Sequence, residues 1–250
     1  MAALSKGLND MNFHRDRIAF PGKYPFNIPA LKGLTRLKFH PAVTYLSGEN
    51  GMGKSTLIEA IAIACGFNPE GGSKNFNFNT RSSHSALHEY ITVGRGRKHR
   101  DGYFLRSESF FNVATNIEKL DEEPSFGPRL IDSYGGKSLH EQSHGESFWA
   151  LFMNRFRGDG LYILDEPEAA LSPTRQMAML TRMHELIRLG SQFIIATHSP
   201  IVMAYPGAII YELQENGIHK CSYTETENYK VTAGFINNHE EMVRILLEDE

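Results

Sequence analysis

Eight residues, Gly48-Glu49-Asn50-Gly51-Met52-Gly53-Lys54-Ser55, match G-x-x-x-x-G-K-[ST], and no other stretch limits the chain so strongly. The run before them, Val43-Thr44-Tyr45-Leu46, lacks polar alternation, as in a strand buried on both faces. After them Leu57, Ile58, Ile61 and Ala64 fall at helical spacing, and Gly66 is placed to end the helix. Strand, glycine-rich turn and helix in that order give the motif its physical meaning. Glycines let the backbone wind tightly, so that successive N–H groups point inward at phosphate oxygens, and the helix N-terminus adds its dipole. Lys54 then reaches the β/γ-phosphates and Ser55 holds Mg²⁺. Gly48, Asn50, Gly51, Gly53, Lys54, Ser55 and Thr56 are the candidate nucleotide-binding residues, with ATP and Mg²⁺ as cofactors.

The rest of the chain alternates short strand-like runs with helical ones, which argues for a mostly parallel sheet flanked by helices, an α/β fold. Leu34 to Phe39 reads as a half-exposed strand. Tyr90 to Val93 and Tyr103 to Leu105 read as two strands around a basic turn, and Asn68 to Ser85 as irregular. Charges and turn residues mix from Phe110 to His144, which reads as a smaller helical lobe, roughly residues 107–150, inserted into the sheet domain. Phe148, Trp149, Leu151, Phe152 and Phe156 share one helix face. Leu161 to Leu164 is a short buried strand. Ser172-Pro173 caps and opens a helix whose apolar stripe is Met177, Leu180, Met183 and Ile187, with Gly190 as its stop. Phe193 to Ala196 and Ala208 to Leu213 are further strands, Asn216-Gly217 marks a hairpin that supplies an antiparallel β portion, and Glu240 to Leu247 is a last helix. The expectation is one domain over residues 1–250.

Composition removes several function classes. Lys+Arg 26 against Asp+Glu 29 leaves a net charge of -3, so any contact with a polyanion has to be local. Two cysteines far apart, Cys65 and Cys221, exclude a disulfide framework and favour a reducing compartment. With no run of 18 apolar residues and no apolar leader among Met1 to Arg17, a cytoplasmic chain without membrane insertion is expected. Among His84, His88, His99, His140 and His144 no pair combines a helical i, i+4 setting with the flanking base of an H-E-x-x-H zinc helix, so no metal beyond Mg²⁺ is expected.

A second chemical feature is Leu161-Tyr162-Ile163-Leu164-Asp165-Glu166, an apolar strand ending in two carboxylates. One acid at a strand end fixes the Mg²⁺ shell, and a second beside it polarises attacking water, which gives Asp165 and Glu166 distinct roles. Gln142-Ser143-His144-Gly145-Glu146 leads into a helix, Glu166-Pro167-Glu168-Ala169-Ala170-Leu171-Ser172-Pro173 follows the acidic pair, and Ala196-Thr197-His198-Ser199-Pro200 ends a strand.

With these stretches in this order the sequence resembles an ATP-binding cassette (ABC) class P-loop ATPase. The likeness covers Leu31 to about Tyr211. Within that class "DEPEAALSP" and "ATHSP" look like the soluble SMC, RecF and OLD group, and GFNPEGGS, LRSESFFNVAT and SYGGKSLHEQSHGES resemble stand-alone bacterial ATPases of undefined role. The resemblance implies that Ser143 and Gly145 belong to the signature, that His198 senses the γ-phosphate, and that Lys54, Glu166 and His198 are catalytic. It also implies that two copies close head to tail around two nucleotides and drive change in a protein partner. His144 replaces the first signature Gly, Ser172 replaces the D-loop Asp, and no Gln lies between Lys54 and Gln142. Glu108 is the substitute for the missing Gln as a metal-side ligand, or else a surface acid.

Tyr24 or Phe26 would stack on adenine, or both cover the sheet edge. Arg95, Arg97, Lys98 and Arg100 form a solvated hairpin tip or a nonspecific DNA contact. Two further readings of the whole chain remain beside the soluble ATPase: a nucleotide-binding subunit of a membrane transporter, and a nucleotide-switched DNA-binding module with slow hydrolysis.

Overall fold

The computed structural model describes residues 7–74, 84–122, 129–138 and 140–248. In chain order these hold β1 (Leu8–Phe13), β2 (Arg36–Lys38), β3 (Val43–Gly48), α1 (Lys54–Ala64), β4 (Gly72–Ser73), β5 (Ile91–Arg95), β6 (Asp101–Arg106) and α2 (Phe110–Glu122). There follow α3 (His144–Ala150), β7 (Gly160–Asp165), α4 (Pro173–Arg188), β8 (Gln192–Ala196), α5 (Pro200–Met203), β9 (Ile209–Gln214), β10 (Gly217–Cys221), α6 (Glu227–Asn237) and α7 (His239–Leu247). The main sheet runs β10-β9-β3-β8-β7-β6-β4, parallel from β9 to β6 and antiparallel at both edges. A second, antiparallel sheet runs β2-β1-β5.

Each central strand feeds two cores, because successive side chains of a strand leave on opposite faces. Tyr162 and Leu164 join Tyr45, Tyr103 and Phe193 on the face covered by α2, α3 and α4. Leu161 and Ile163 join Leu46, Phe104 and Ile194 on the face covered by α1 and the small sheet. This explains why the run before Asp165 is apolar without alternation: all six residues of β7 are buried. Gln192, itself fully buried, ties the two sheets by accepting from Leu8 N (2.8 Å) and donating to Leu8 O (2.8 Å) and His40 O (2.9 Å).

Two expectations change here, and two elements are new. Tyr90 to Val93 and Tyr103 to Leu105 do not form a hairpin around the basic turn: β5 pairs with β1 and β6 with β7, so the turn passes from one sheet to the other. The stripe on α4 is Met179, Met183 and Leu186, while Met177 is 55% exposed and Leu180 and Ile187 lie at its flank. Spacing alone gives the helical period, and the aromatic floor beneath the helix chooses which arc is buried. Finally β1 and α6 carry no sequence expectation. β1 earns its place through Met11, which is fully buried, and α6 has no buried residue at all.

Candidate nucleotide-binding and hydrolysis site

The glycine-rich turn is forced by its surroundings. Gly48 has φ +134°, and a Cβ there would stand 2.4 Å from the Leu213 carbonyl oxygen. Gly53 has φ +91° and would meet Ile28 Cγ2 at 2.8 Å. Neither position accepts an L side chain without moving backbone or core. Lys54, at the start of α1, is buried, and its Nζ donates to the carbonyls of Gly48 (2.8 Å) and Glu49 (2.9 Å). Burial lowers its pKa, and the carboxylates of Glu166, Asp165, Glu168 and Glu49 oppose that shift. The ammonium is thus held inside the turn by carbonyls, and Asn50 and Gly51 stand exposed at its rim.

Parallel pairing of β3, β8 and β7 brings the other segments to the same end of the sheet. Ser55 Oγ donates to Asp165 Oδ1 at 3.2 Å. Asp165 is 5% exposed, and burial raises its pKa to about 7, against the Ser55 hydrogen bond, which lowers it. A buried carboxyl beside a hydroxyl, poised between its two protonation states, is what a divalent cation would ionise, so the donor set fits Mg²⁺. Glu166 is in the left-handed region at φ +49°, and its Oε1 stands 3.3 Å from His198 Nε2 without the alignment of a hydrogen bond. Burial lowers the His198 pKa, Lys54 lowers it further, and Glu166 and Glu168 act the other way. Thr56 Oγ1 lies 3.2 Å from the hydroxyl of Tyr24.

Ser143 and Gly145 are engaged elsewhere. Ser143 caps α3 in a capping box with Glu146, whose Oε2 accepts from Ser143 N (3.0 Å) and Oγ (2.6 Å) and whose pKa those bonds lower. Gly145 packs on the 166–172 loop: a Cβ there would come within 2.6 Å of the Ala170 carbonyl oxygen. Among the described residues no hydrogen bond or ion pair joins Ser143 or Gly145 to Lys54 or Ser55. Glu108 is exposed, with its carboxylate 3.4 Å from Arg106 Nη2. Its neighbour Ser107, which sequence reasoning passed over, donates to the carbonyls of Asp165 (3.0 Å) and Glu166 (2.8 Å). Glu168 was also passed over, although its place two residues after Glu166 was a usable signal; its Oε1 binds the His198 loop.

One more expectation is corrected. Phe26 is buried against Tyr90, ring centroids 4.7 Å apart, and cannot face a base, whereas Tyr24 is 64% exposed beside Thr56. In the basic turn Arg95, Arg97, Lys98 and Arg100 are all exposed. Arg97 and Arg100 lie 3.9 and 3.7 Å from Asp159, and Arg95 Nη2 donates to the Ala64 carbonyl at the end of α1.

Residues 26–137 match the family described as "AAA domain", and residues 132–204 match "AAA domain, putative AbiEii toxin, Type IV TA system". A solved structure titled "An inward-facing conformation of a putative metal-chelate type ABC transporter" aligns over 93% of this chain and 90% of its own, with TM-score 0.50 and 16% identity. The fold is that of an ABC-class P-loop ATPase. Other likenesses are fainter. The SMC head domain from Thermotoga maritima aligns over 75% of this chain and 93% of its own, with TM-score 0.39 and 17% identity. The ABC transporter G family member STR2 of Medicago truncatula is 26% identical over 171 residues, 63% of this chain, and the chain spans 24% of that protein's length. Among the described residues no helix is long and apolar enough to cross a membrane. In this ABC-type fold the strand ends and the turn before α1 meet at one edge, which is where Lys54, Ser55, Asp165, Glu166 and His198 converge.

Proposed function

We propose that the chain binds Mg-ATP in the turn before α1 and hydrolyses it between two head-to-tail copies. The observation that carries this reading is the convergence of Asp165, Glu166 and His198 on the buried Lys54 and its neighbour Ser55, from more than a hundred residues away in sequence. Lys54 would exchange its two carbonyl bonds for phosphate oxygens, a charge-assisted replacement. Ser55 and Asp165 would hold Mg²⁺, which when bound neutralises charge on the transferred phosphoryl group. Glu166 orients a water and takes its proton, a role worth about 10²–10⁴ in rate for a positioned general base. His198, 3.3 Å from Glu166, faces the same space. Tyr24 offers the exposed ring for the base.

In this reading Ser143 and Gly145, which cap α3 and pack on the 166–172 loop, act on the nucleotide of the other copy. Closure of the pair then drives a change in a protein partner, and a DNA contact through residues 95–100 belongs to the same reading. The absence of a Gln between Lys54 and Gln142 weighs against a transporter subunit. The test is phosphate release from Mg-ATP by the purified chain, with Glu166→Gln as the control. Hydrolysis that persists in Glu166→Gln, or none in the parent at any concentration, would overturn it.

A further inference from the structure

We infer that Glu168 is a positioning residue of this site: its carboxylate grips the main chain of the Thr197–Ser199 loop and so sets where His198 stands relative to Glu166. The inference rests on the hydrolytic reading above. Its basis is where the β7–β8 ladder stops. The two strands pair as far as Asp165 and Ala196, and the last main-chain bond between them runs from Glu166 N to Ala196 O at 2.9 Å. There the chain turns away through Glu166 at φ +49° and Pro167, which has no N–H to give. The N–H groups of His198 and Ser199 would then be left without a strand partner.

Glu168 supplies that partner. Its Oε1 accepts from Thr197 Oγ1 (2.6 Å), His198 N (2.7 Å) and Ser199 N (3.1 Å). One carboxylate oxygen thus replaces the next rungs of the ladder. Charge-assisted bonds of this kind are short and strong, and three of them fix a loop more tightly than any single contact. The loop is tied on its other sides as well. Thr197 N donates to Leu46 O of β3 (3.1 Å), and Ser199 Oγ donates to Gln176 Oε1 of α4 (2.6 Å). Neither tie reaches His198, whose main-chain N–H is held by Glu168 and whose ring faces Glu166. A Glu carried two residues after Glu166 therefore makes one short segment hold both halves of the Glu166–His198 pair.

The test separates position from charge. Glu168→Gln keeps an oxygen able to accept all three bonds and removes the charge, while Glu168→Ala removes both. Ser199 N also donates to Thr197 Oγ1 (3.0 Å), so the His198 amide is the reporter: in the nucleotide-free chain its hydrogen exchange should quicken at least about 10-fold in Glu168→Ala and stay within about 3-fold of the parent in Glu168→Gln. In turnover, Glu168→Ala should lose roughly 10- to 100-fold in kcat with the KM for ATP within about 3-fold, and Glu168→Gln should recover most of it. The double variant Glu168→Ala/His198→Ala should be no slower than His198→Ala alone, since both act through one ring. Unchanged exchange in Glu168→Ala, fully additive losses, or a Glu168→Gln variant with normal exchange but the kcat of Glu168→Ala would each overturn the inference. Oε2 of Glu168 is buried without a hydrogen-bond partner among the described residues, so the Gln variant is also melted to confirm that it folds. A parent chain without ATPase activity sinks the hydrolytic reading, yet the exchange measurement still decides whether Glu168 holds the loop.

Discussion

Ser107 and Glu166 are joined by a 2.8 Å hydrogen bond from the serine hydroxyl to the glutamate's main-chain oxygen, and the same hydroxyl reaches the Asp165 carbonyl at 3.0 Å. The first residue after β6 thereby braces the corner in which Glu166 is driven to φ +49°. A non-glycine residue in that region costs on the order of 1 kcal/mol, so it persists only where neighbours hold it. Ser107→Ala should lower stability by about 1 kcal/mol, read as a fall in urea midpoint at constant slope. It should also lower kcat more than it raises KM for ATP, because the corner carries Glu166 and not the phosphate turn.

Glu166→Gln keeps the shape of the side chain while removing the charge that orients water. Turnover should drop by about 10²-fold or more with nucleotide binding retained, and a dimer should accumulate in Mg-ATP. Light scattering reads this directly, and a monomer at saturating nucleotide counts against the paired arrangement. Lys54→Ala, by contrast, should lose binding itself, since the phosphate charge then goes unanswered.

Ser143→Arg places a bulky cation at the capping position of α3. It should bind ATP nearly as the parent does and fail to hydrolyse it. Mixed with Lys54→Ala, it should regain part of the activity, because one of the two composite sites in a mixed pair is then intact. If no mixing ratio restores turnover, each copy works alone or the two sites fire only together.

The pH dependence follows from Asp165, whose carboxyl is pushed up to about 7 by burial, well above an ordinary aspartate. The folded chain therefore binds a proton there that the unfolded chain has already released. Its contribution to stability is fully present below about pH 4 and is lost as pH rises toward 7, a swing on the order of 4 kcal/mol. Differential melting of the metal-free parent against Asp165→Asn across that range should reveal a stability difference that falls with rising pH. Mg²⁺ competes with the same proton, so Mg²⁺-dependent nucleotide binding should strengthen about 10-fold between pH 6 and pH 8 and flatten in Asp165→Asn. A parallel pH course in both proteins would refute the assignment.

Much of this was legible in the sequence because it depends on local rules. The motif Gly48 to Ser55 needs glycine torsions and a helix start, and both are written in neighbouring residues. The run Leu161 to Leu164 reads as a strand buried on both faces, and Ser172-Pro173 reads as a cap, since each signal spans only a few positions. Ser172 Oγ accepts from Arg175 N as that reading requires. Strand period and helix start are backbone properties, which the chain expresses wherever it lies.

Partner choice is of another kind. Nothing local tells that β5 leaves β6 for β1, because two strands joined by a basic turn satisfy every short-range rule of a hairpin. The buried arc of α4 is set by the aromatic floor beneath it, and Phe26 is withdrawn from any ligand by Tyr90. Likewise Ser107 and Glu168 look like ordinary polar residues until parallel pairing lays β6, β7 and β8 side by side and leaves the carbonyls of Asp165 and Glu166 and the amides of His198 and Ser199 in need of partners. The sequence by itself determined the chemistry that the site can hold, since that follows from side-chain types at fixed spacing. Only the tertiary structure decided which polar groups support it, because an unpaired main-chain group is created by the end of a ladder and is costly only once buried.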